Sequence, residues 1–392
     1  MSLPADRRLL VIGSGPAGVS AAVGYRDAGG SGAVHIVTCD DELPYERPPL
    51  SKDLLRGEAR PDEIRLHPAD FYAERDIEIS LSTIVATLDT DARTATLDDG
   101  RVLNFEFCVL ATGSRSVRPP VPGAELPHVH ALRSLGQAIA LRDAARHAGT
   151  VVVVGSGFIG CEAAASLSRS GVSVTLVTVE DQPHAARLGT QVAERIADWL
   201  RNEGVEVITG DGIAEITAHA VTTKSGRNLP AERVLLATGV EPCGELAERA
   251  GLRMSEGRVR VDSSMRASAA GVFAAGDVAL ATNDAAGRAV AVEHWGDALT
   301  MGEIAGRAAA GEVGTWAQAP GFWSTIGGHT LKYSAWGDGH DDVLFRDGTH
   351  GAFTAWYLRD SHVVGVLTHE ADEDYERGPK LVEDAAGAAA LN

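Results

Sequence analysis

The chain opens with an apolar run, Leu9-Leu10-Val11-Ile12, that stops at Gly13 and gives way to small residues. A second run, Val151-Val152-Val153-Val154, stops in the same way at Gly155. Unbroken apolar runs of this length bounded by glycine predict strands buried on both faces, as in a parallel sheet. After the first run, the small residues from Val19 to Arg26 predict a helix and Val34-His35-Ile36-Val37 a second strand; after the second, Val172-Ser173-Val174-Thr175-Leu176-Val177 is again a strand. From about Thr315 the pattern changes. Aromatic residues from Trp316 to Tyr357 crowd together, and Thr354-Ala355-Trp356-Tyr357-Leu358 and Val363-Val364-Gly365-Val366-Leu367 read as antiparallel strands. The alanine-rich stretch from Glu383 to Ala390 predicts a terminal helix that frays.

The residues after each apolar run are Gly13-Ser14-Gly15-Pro16-Ala17-Gly18 and Gly155-Ser156-Gly157-Phe158-Ile159-Gly160. Both fit the dinucleotide fingerprint G-x-G-x-x-G: the first glycine permits the turn, the second lets backbone approach a pyrophosphate, and the third lets the helix pack on the strand. The N-terminus of the helix then meets the phosphate charge with free N–H groups. Asp40, about 20 residues past the first set of glycines, stands where a ribose hydroxyl is bound. Beyond the second strand of the other copy come Thr178-Val179-Glu180-Asp181. Thr178 holds the position where NAD-specific proteins place an acid, but Glu180 lies within reach of the ribose, and no arginine stands there for a 2′-phosphate. The pattern therefore predicts NADH over NADPH. Two such sites on one chain imply that electrons pass from one dinucleotide to another.

Composition narrows the setting. The 392 residues suit two to three domains, and 44% hydrophobic with 23% charged residues is a globular balance. No apolar run is long enough to cross a membrane and no signal-peptide pattern precedes Leu9, which predicts a cytoplasmic protein. The four cysteines, Cys39, Cys108, Cys161 and Cys243, form no C-x-x-C pair and no metal-ligand spacing, so buried reduced thiols are expected and no metal. A flavin enzyme that relays electrons through a close cysteine pair is excluded by the same count.

The stretch Leu43-Pro44-Tyr45-Glu46-Arg47-Pro48-Pro49-Leu50-Ser51-Lys52-Asp53-Leu54 resembles a segment of the FAD-dependent, NAD(P)H-linked ferredoxin reductases of bacterial oxygenase and cytochrome P450 systems, the putidaredoxin reductase-like family, to which apoptosis-inducing factor is more distantly related. The resemblance runs over nearly the whole chain. It implies a lysine against the flavin ring, Lys52, whose charge would favour the reduced, anionic flavin. It further implies FAD contacts from Arg47, Val85, Ala111-Thr112-Gly113, Arg133 in Leu132-Arg133-Ser134-Leu135, Gly276-Asp277, Glu293-His294-Trp295, and Trp323 in Phe322-Trp323-Ser324. Asp277 would accept from the ribityl chain, and His294 carries no acid–base role. For NAD(H) it implies Ala237-Thr238-Gly239 beside the second fingerprint, and Glu162 near the nicotinamide, with carboxamide or ribose positioning as its role. Each assignment has a plainer alternative: Lys52 a solvated lysine, Trp295 and Trp323 core aromatics, Glu162 a first-turn glutamate placed for the helix dipole.

Motif order implies an α/β chain with two Rossmann-like, glutathione-reductase-like dinucleotide-binding domains and a C-terminal α+β domain. Residues 1–117 and 247–314 would form a discontinuous FAD-binding domain, 118–246 an inserted NAD(H)-binding domain, and 315–392 an interface domain. Catalysis would rest on Lys52, Glu162 and Trp295, with hydride passing from NADH to FAD and electrons leaving singly to a ferredoxin. In much of the family F-W-S is followed by D-Q, whereas here Thr325-Ile326-Gly327 follows, which leaves open a flavin NADH oxidase or quinone/dye reductase without a protein acceptor. A redox-gated binding protein is the third reading. The net charge of −19 opposes an acidic ferredoxin unless a local basic patch forms, for which Arg56, Arg60, Arg65 and Arg75 are candidates. No nucleic-acid or membrane partner is expected, and the oligomeric state is left open.

Overall fold

The computed structural model describes residues 8–391. They divide into two compact units, residues 8–46 with Arg65–Arg115 and Glu241–Phe322, and Arg47–Ile64 with Ser116–Val240 and residues 323–391. This division differs from the three-domain expectation in two places. The segment 47–64, which carries Lys52, groups with the second fingerprint and not the first, and the C-terminal residues join that same unit.

In the first unit, Leu9–Ile12 is the central strand of a five-stranded sheet. Val34–Val37 and then Ile77–Ser80 lie on one side; Phe107–Leu110 and then Val272–Ala274 lie on the other, all parallel. This is a doubly wound sheet, and its order reverses at the strand that carries the fingerprint. Between its third and fourth strands the chain makes a three-stranded antiparallel meander, Val85–Asp89, Thr94–Leu97 and Val102–Asn104. The helix Pro16–Asp27 packs on the helix Trp295–Ala310 at backbone distance. A side chain at Gly302 would meet Ala17 O at 2.2 Å, and one at Gly306 would meet Ala21 O at 2.0 Å.

The second unit repeats the plan. Thr150–Val154 is central in a parallel sheet flanked by Ser173–Val177 and Glu206–Ile208 on one side and by Arg233–Leu236 and Val129–His130 on the other. Here too a three-stranded meander, Ile213–Ile216, Ala220–Thr223 and Asn228–Pro230, precedes the strand Arg233–Leu236. A five-stranded antiparallel sheet follows, in the order Gly321–Ile326, His329–Ala335, His362–His369, Phe353–Arg359, Asp342–Asp347. The last helix is Asp372–Glu383, upstream of the expected 383–390; Ala385 has a left-handed φ of 46°, and only a 3-10 turn, Ala388–Leu391, follows. Among the described residues no helix is long and apolar enough to cross a membrane.

One buried group makes this unit acid-sensitive. His184 is left-handed at φ 65°, stacks on Phe158 with ring centroids 4.0 Å apart, and has a buried Nε2 without a hydrogen-bond partner. Burial, helped by the nearby Arg187 charge, pulls its pKa from 6.5 down to about 3. The folded protein thus keeps His184 neutral where the unfolded chain would protonate it. Its contribution to stability is intact above the unfolded value and is lost as pH falls toward the folded one, at up to about 1.4 kcal/mol per pH unit. His184→Asn, which tolerates the left-handed backbone, should lose less thermal stability than the wild type between about pH 7 and about pH 5. Melting temperatures of both proteins across that range check this slope.

Candidate functional site

The two fingerprint turns have the same construction. Gly13 has φ 110° and a Cβ there would lie 2.2 Å from Ala111 O; Gly155 has φ 102° and a Cβ would lie 2.3 Å from Ala237 O. A Cβ at Gly18 would strike Gly13 O at 1.9 Å, and one at Gly160 would strike Gly155 O at 2.1 Å. The protein's own packing therefore requires the first and third glycines. Gly157 differs: its backbone is extended, at φ −64° and ψ 172°, and a Cβ would meet nothing within 4 Å. Nothing inside the protein demands a glycine there, which leaves close approach of an outside group as the reason for it. The helices start with Val19 N bonding Gly15 O at 3.1 Å and Cys161 N bonding Gly157 O at 2.9 Å, so the amides ahead of them stand outside the helical ladder, as anion binding requires. Pyrophosphates thus fit both turns.

The duplication extends to polar groups. Ser14 Oγ donates to Thr38 Oγ1 at 3.0 Å and Ser156 Oγ to Thr178 Oγ1 at 2.7 Å. Each threonine hydroxyl in turn accepts the amide of an acid two residues on, Asp40 or Glu180, at 3.2 Å. Glu180 is thereby the counterpart of Asp40, although no acid stands at Thr178. The side chains are further oriented: Asp40 accepts from Tyr45 Oη at 2.7 Å, and Glu180 from the Ala186 amide at 3.2 Å. Ala111-Thr112-Gly113 and Ala237-Thr238-Gly239 follow the neighbouring strand in each copy, and their threonines donate to Cys243 O at 2.7 Å and Val117 O at 2.8 Å.

Other predicted residues of the first unit fall into two sets. Asp277 is buried and accepts from Ser114 Oγ at 2.5 Å, next to Gly276 at φ 75°. Trp295 opens its helix half-buried, so it is not a core aromatic. Val85, by contrast, packs into the hydrophobic core. Glu293 pairs with Arg258 at 2.6 Å, and His294 Nδ1 lies 3.1 Å from Asp297 Oδ2; both interactions brace the protein.

The second unit gathers Lys52 and Glu162. Lys52 is not a solvated lysine: its ammonium has a side-chain exposure of 14% and lies 2.7 Å from Glu162 Oε2. That oxygen also accepts from Ser51 Oγ at 2.5 Å. Oε1 accepts from Ser324 Oγ at 2.6 Å and from the Thr325 amide at 3.3 Å. A carboxylate offers about four lone-pair sites, so both oxygens of Glu162 are engaged within the protein. Within the protein it is the counter-ion of Lys52. Ser51 and Ser324 sit inside the motifs that carry Lys52 and Trp323, and Thr325 in the departure from D-Q, but nothing in the sequence signals their contact with Glu162. Trp323 itself is 47% exposed, so it too is not a core aromatic. Arg47 donates to Arg133 O at 2.5 Å, next to a capping box made by Ser134 and Gln137.

Among the described residues no two cysteines are joined in a disulfide, and only two of the four are buried: Cys39 is exposed and Cys243 half-buried. Burial pushes the Cys108 thiol up, and burial with the Glu162 and Glu180 charges does the same to Cys161, so neither is a ready thiolate. The arginines considered for a basic patch are largely met locally. Arg56 pairs with Asp53 and Glu58, Arg60 with Asp62 and Glu63, and Arg75 lies over the Phe71 ring.

The contrast between the glycines gives a direct test. Gly155→Ala should cost the fold several kcal/mol through strain and overlap. Gly157→Ala should cost about 1 kcal/mol or less, as a helix-cap change, yet weaken NADH binding at least about tenfold. Thermal melts combined with NADH titration of the two variants separate these outcomes.

Residues 7–302 match the family described as pyridine nucleotide-disulphide oxidoreductase, and residues 321–391 match the one described as reductase C-terminal. The chain is 32% identical over 379 residues to the benzene 1,2-dioxygenase system ferredoxin–NAD(+) reductase subunit of Pseudomonas putida, covering 95% of this chain and 92% of that protein. Rhodocoxin reductase of Rhodococcus erythropolis is 31% identical, covering 95% and 89%. Among solved structures, the covalent putidaredoxin reductase–putidaredoxin complex matches with a TM-score of 0.92 at 28% identity, covering 97% of this chain and 94% of that one. With its duplicated turns and these matches along almost its full length, the chain belongs to the pyridine nucleotide-disulphide oxidoreductase family.

Proposed function

We propose that this protein is a cytoplasmic, FAD-dependent reductase that takes a hydride from NADH and passes electrons one at a time to a ferredoxin serving an oxygenase or a cytochrome P450. The carrying observation is the duplicated turn with its open Gly157, in a family whose members here include named ferredoxin–NAD(+) reductases. Bound FAD would supply the hydride acceptor and the means to release electrons singly.

The chain's own residues supply placement. In the first unit, Gly13, Gly15, Pro16, Ala17 and Gly18 form the turn for the FAD pyrophosphate, Asp40 takes the ribose, and Asp277, oriented by Ser114, takes the ribityl chain. In the second, Gly155, Gly157, Phe158, Ile159 and Gly160 form the turn for NADH and Glu180 takes its ribose. Lys52, held by Glu162, is the cation that favours the anionic reduced flavin. The absence of a cysteine pair among the described residues supports direct exit of electrons without a thiol relay. A second reading, an NADH oxidase or dye reductase, draws support from Thr325-Ile326-Gly327 standing where relatives have D-Q.

The purified protein should be yellow with one non-covalent FAD per chain, and Asp277→Ala should lose flavin. NADH-driven reduction of cytochrome c should rise at least about tenfold when a 2Fe–2S ferredoxin is added, with slow oxygen consumption in its absence. Fast oxygen or quinone turnover indifferent to ferredoxin would favour the second reading. A folded, colourless protein that cannot be reconstituted would overturn both.

Nucleotide preference follows from Glu180. Arg187, the nearest arginine, is drawn over the Phe158 and Tyr333 rings at 5.8 and 5.4 Å. NADH should therefore have the higher kcat/KM with ferricyanide. Glu180→Ala should reduce the NADH-to-NADPH ratio about tenfold, the worth of one hydrogen bond to a charged group. Equal values for the two nucleotides in the wild type would refute the assignment.

A further inference from the structure

Within the second unit, the short helix Ala185–Leu188 is tied on one side to Glu180 and on the other to the C-terminal antiparallel sheet. The Ala186 amide donates to Glu180 Oε2 at 3.2 Å. Tyr357, on the strand Phe353–Arg359, donates from Oη to Leu188 O at 3.1 Å. Tyr333, on the strand His329–Ala335, takes the residue between them: the Arg187 guanidinium lies 5.4 Å from its ring centroid and donates to its hydroxyl. Tyr333 and Tyr357 are buried, and their rings meet edge to face with centroids 5.9 Å apart, so each ring is held in place. Arg187 also faces the Phe158 ring of the second fingerprint, at 5.8 Å.

Arg187 thus follows directly on the residue whose amide orients Glu180, and an arginine side chain is long enough to bring its charge to that carboxylate or to a phosphate beside it. Paired N–H donors from an arginine at the ribose are what recognise a 2′-phosphate. The guanidinium is instead kept on Tyr333, where exclusion of water strengthens its attraction to the ring.

We propose that Tyr333 is a positioning residue for Arg187: by keeping the guanidinium on its ring and hydroxyl, it withholds that charge from the ribose read by Glu180, so that the C-terminal sheet enforces the choice of NADH over NADPH. This rests on the proposed reading of Glu180 as the acid for the NADH ribose. Released from Tyr333, Arg187 offsets the repulsion between Glu180 and a 2′-phosphate and offers that phosphate charge-assisted hydrogen bonds. Specificity is then decided by a strand far along the chain from the fingerprint as well as by the fingerprint module itself.

The test uses the flavin-loaded, full-length protein and measures kcat/KM for NADH and for NADPH with ferricyanide as acceptor. The ratio of the two cancels any loss of active protein, so a destabilised variant still reports. Tyr333→Phe, which removes only the hydroxyl, should raise the NADPH-to-NADH ratio about threefold, and Tyr333→Leu, which removes the ring face as well, about tenfold. Added salt should shrink both gains, because they come from a charge at the surface of the site. Arg187→Gln alone should leave the ratio where it is, and in that background Tyr333→Leu should have no effect, because its action runs through the guanidinium. An unchanged ratio in Tyr333→Leu, or a rise of equal size with and without Arg187, would overturn the inference while leaving the preference for NADH intact. A wild-type protein that does not prefer NADH would overturn the reading of Glu180 and this inference with it.

Discussion

A glycine lying against a backbone carbonyl is the contact on which both dinucleotide modules depend. At Gly13 and Gly155 the turn leaves its strand with a positive φ and presses on the carbonyl of Ala111 or Ala237, a separation no side chain survives. That approach lets the following helix begin directly over the end of the sheet, with Gly18 or Gly160 folded back on the same turn. Free amides then sit at the point where strand order reverses, and the hydroxyl pairs Ser14–Thr38 and Ser156–Thr178 tie each turn to the next strand. The acids Asp40 and Glu180 take their places from those threonines. Each module is thus a chain of backbone constraints that ends in a ligand site.

The second unit adds a different constraint, a buried negative charge. Moving a carboxylate out of water costs several kcal/mol unless a counter-charge and hydrogen bonds replace the lost solvation. Glu162 obtains both, from the ammonium of Lys52 and from three further donors. Because these come from stretches far apart in sequence, the charge also selects how those stretches meet. A neutral residue at position 162 would tolerate many arrangements, whereas the carboxylate is well solvated by few.

What could be read from the sequence was what is local. An apolar run that ends at a glycine specifies a strand, a turn and a helix within about twenty residues, so both parallel sheets were legible. The equivalence of Glu180 to Asp40 was less so, because Thr178 displaces the acid and only the shared threonine hydroxyl geometry restores the match. The terminal helix was misplaced for a physical reason. Alanine-rich propensity pointed to 383–390, yet the helix forms over Asp372–Glu383, with Pro379 inside it, where Gly378 packs so closely on Val366 that a Cβ would lie 2.4 Å away. Tertiary packing outweighs weak local preference in a short helix. Ser51 and Ser324 could not be found from pattern at all, since their partner lies 111 and 162 residues away and serine carries no periodic signal.

The discontinuity of the two units bears on how the chain is made. Neither unit is a continuous stretch, and the first sheet closes only when Val272–Ala274 pairs with Phe107–Leu110. At synthesis rates of about 5–20 residues per second, the edge of Phe107–Leu110 waits on the order of ten to thirty seconds for its neighbour. Its residues are apolar, and an unpaired apolar edge is a template for association with other chains. Glu162 emerges into the same interval with Ser324 and Thr325 still unmade, so its charge remains in water until late. The nascent protein thus carries an open sheet edge while about 160 residues are made, an exposure set by the order of its segments.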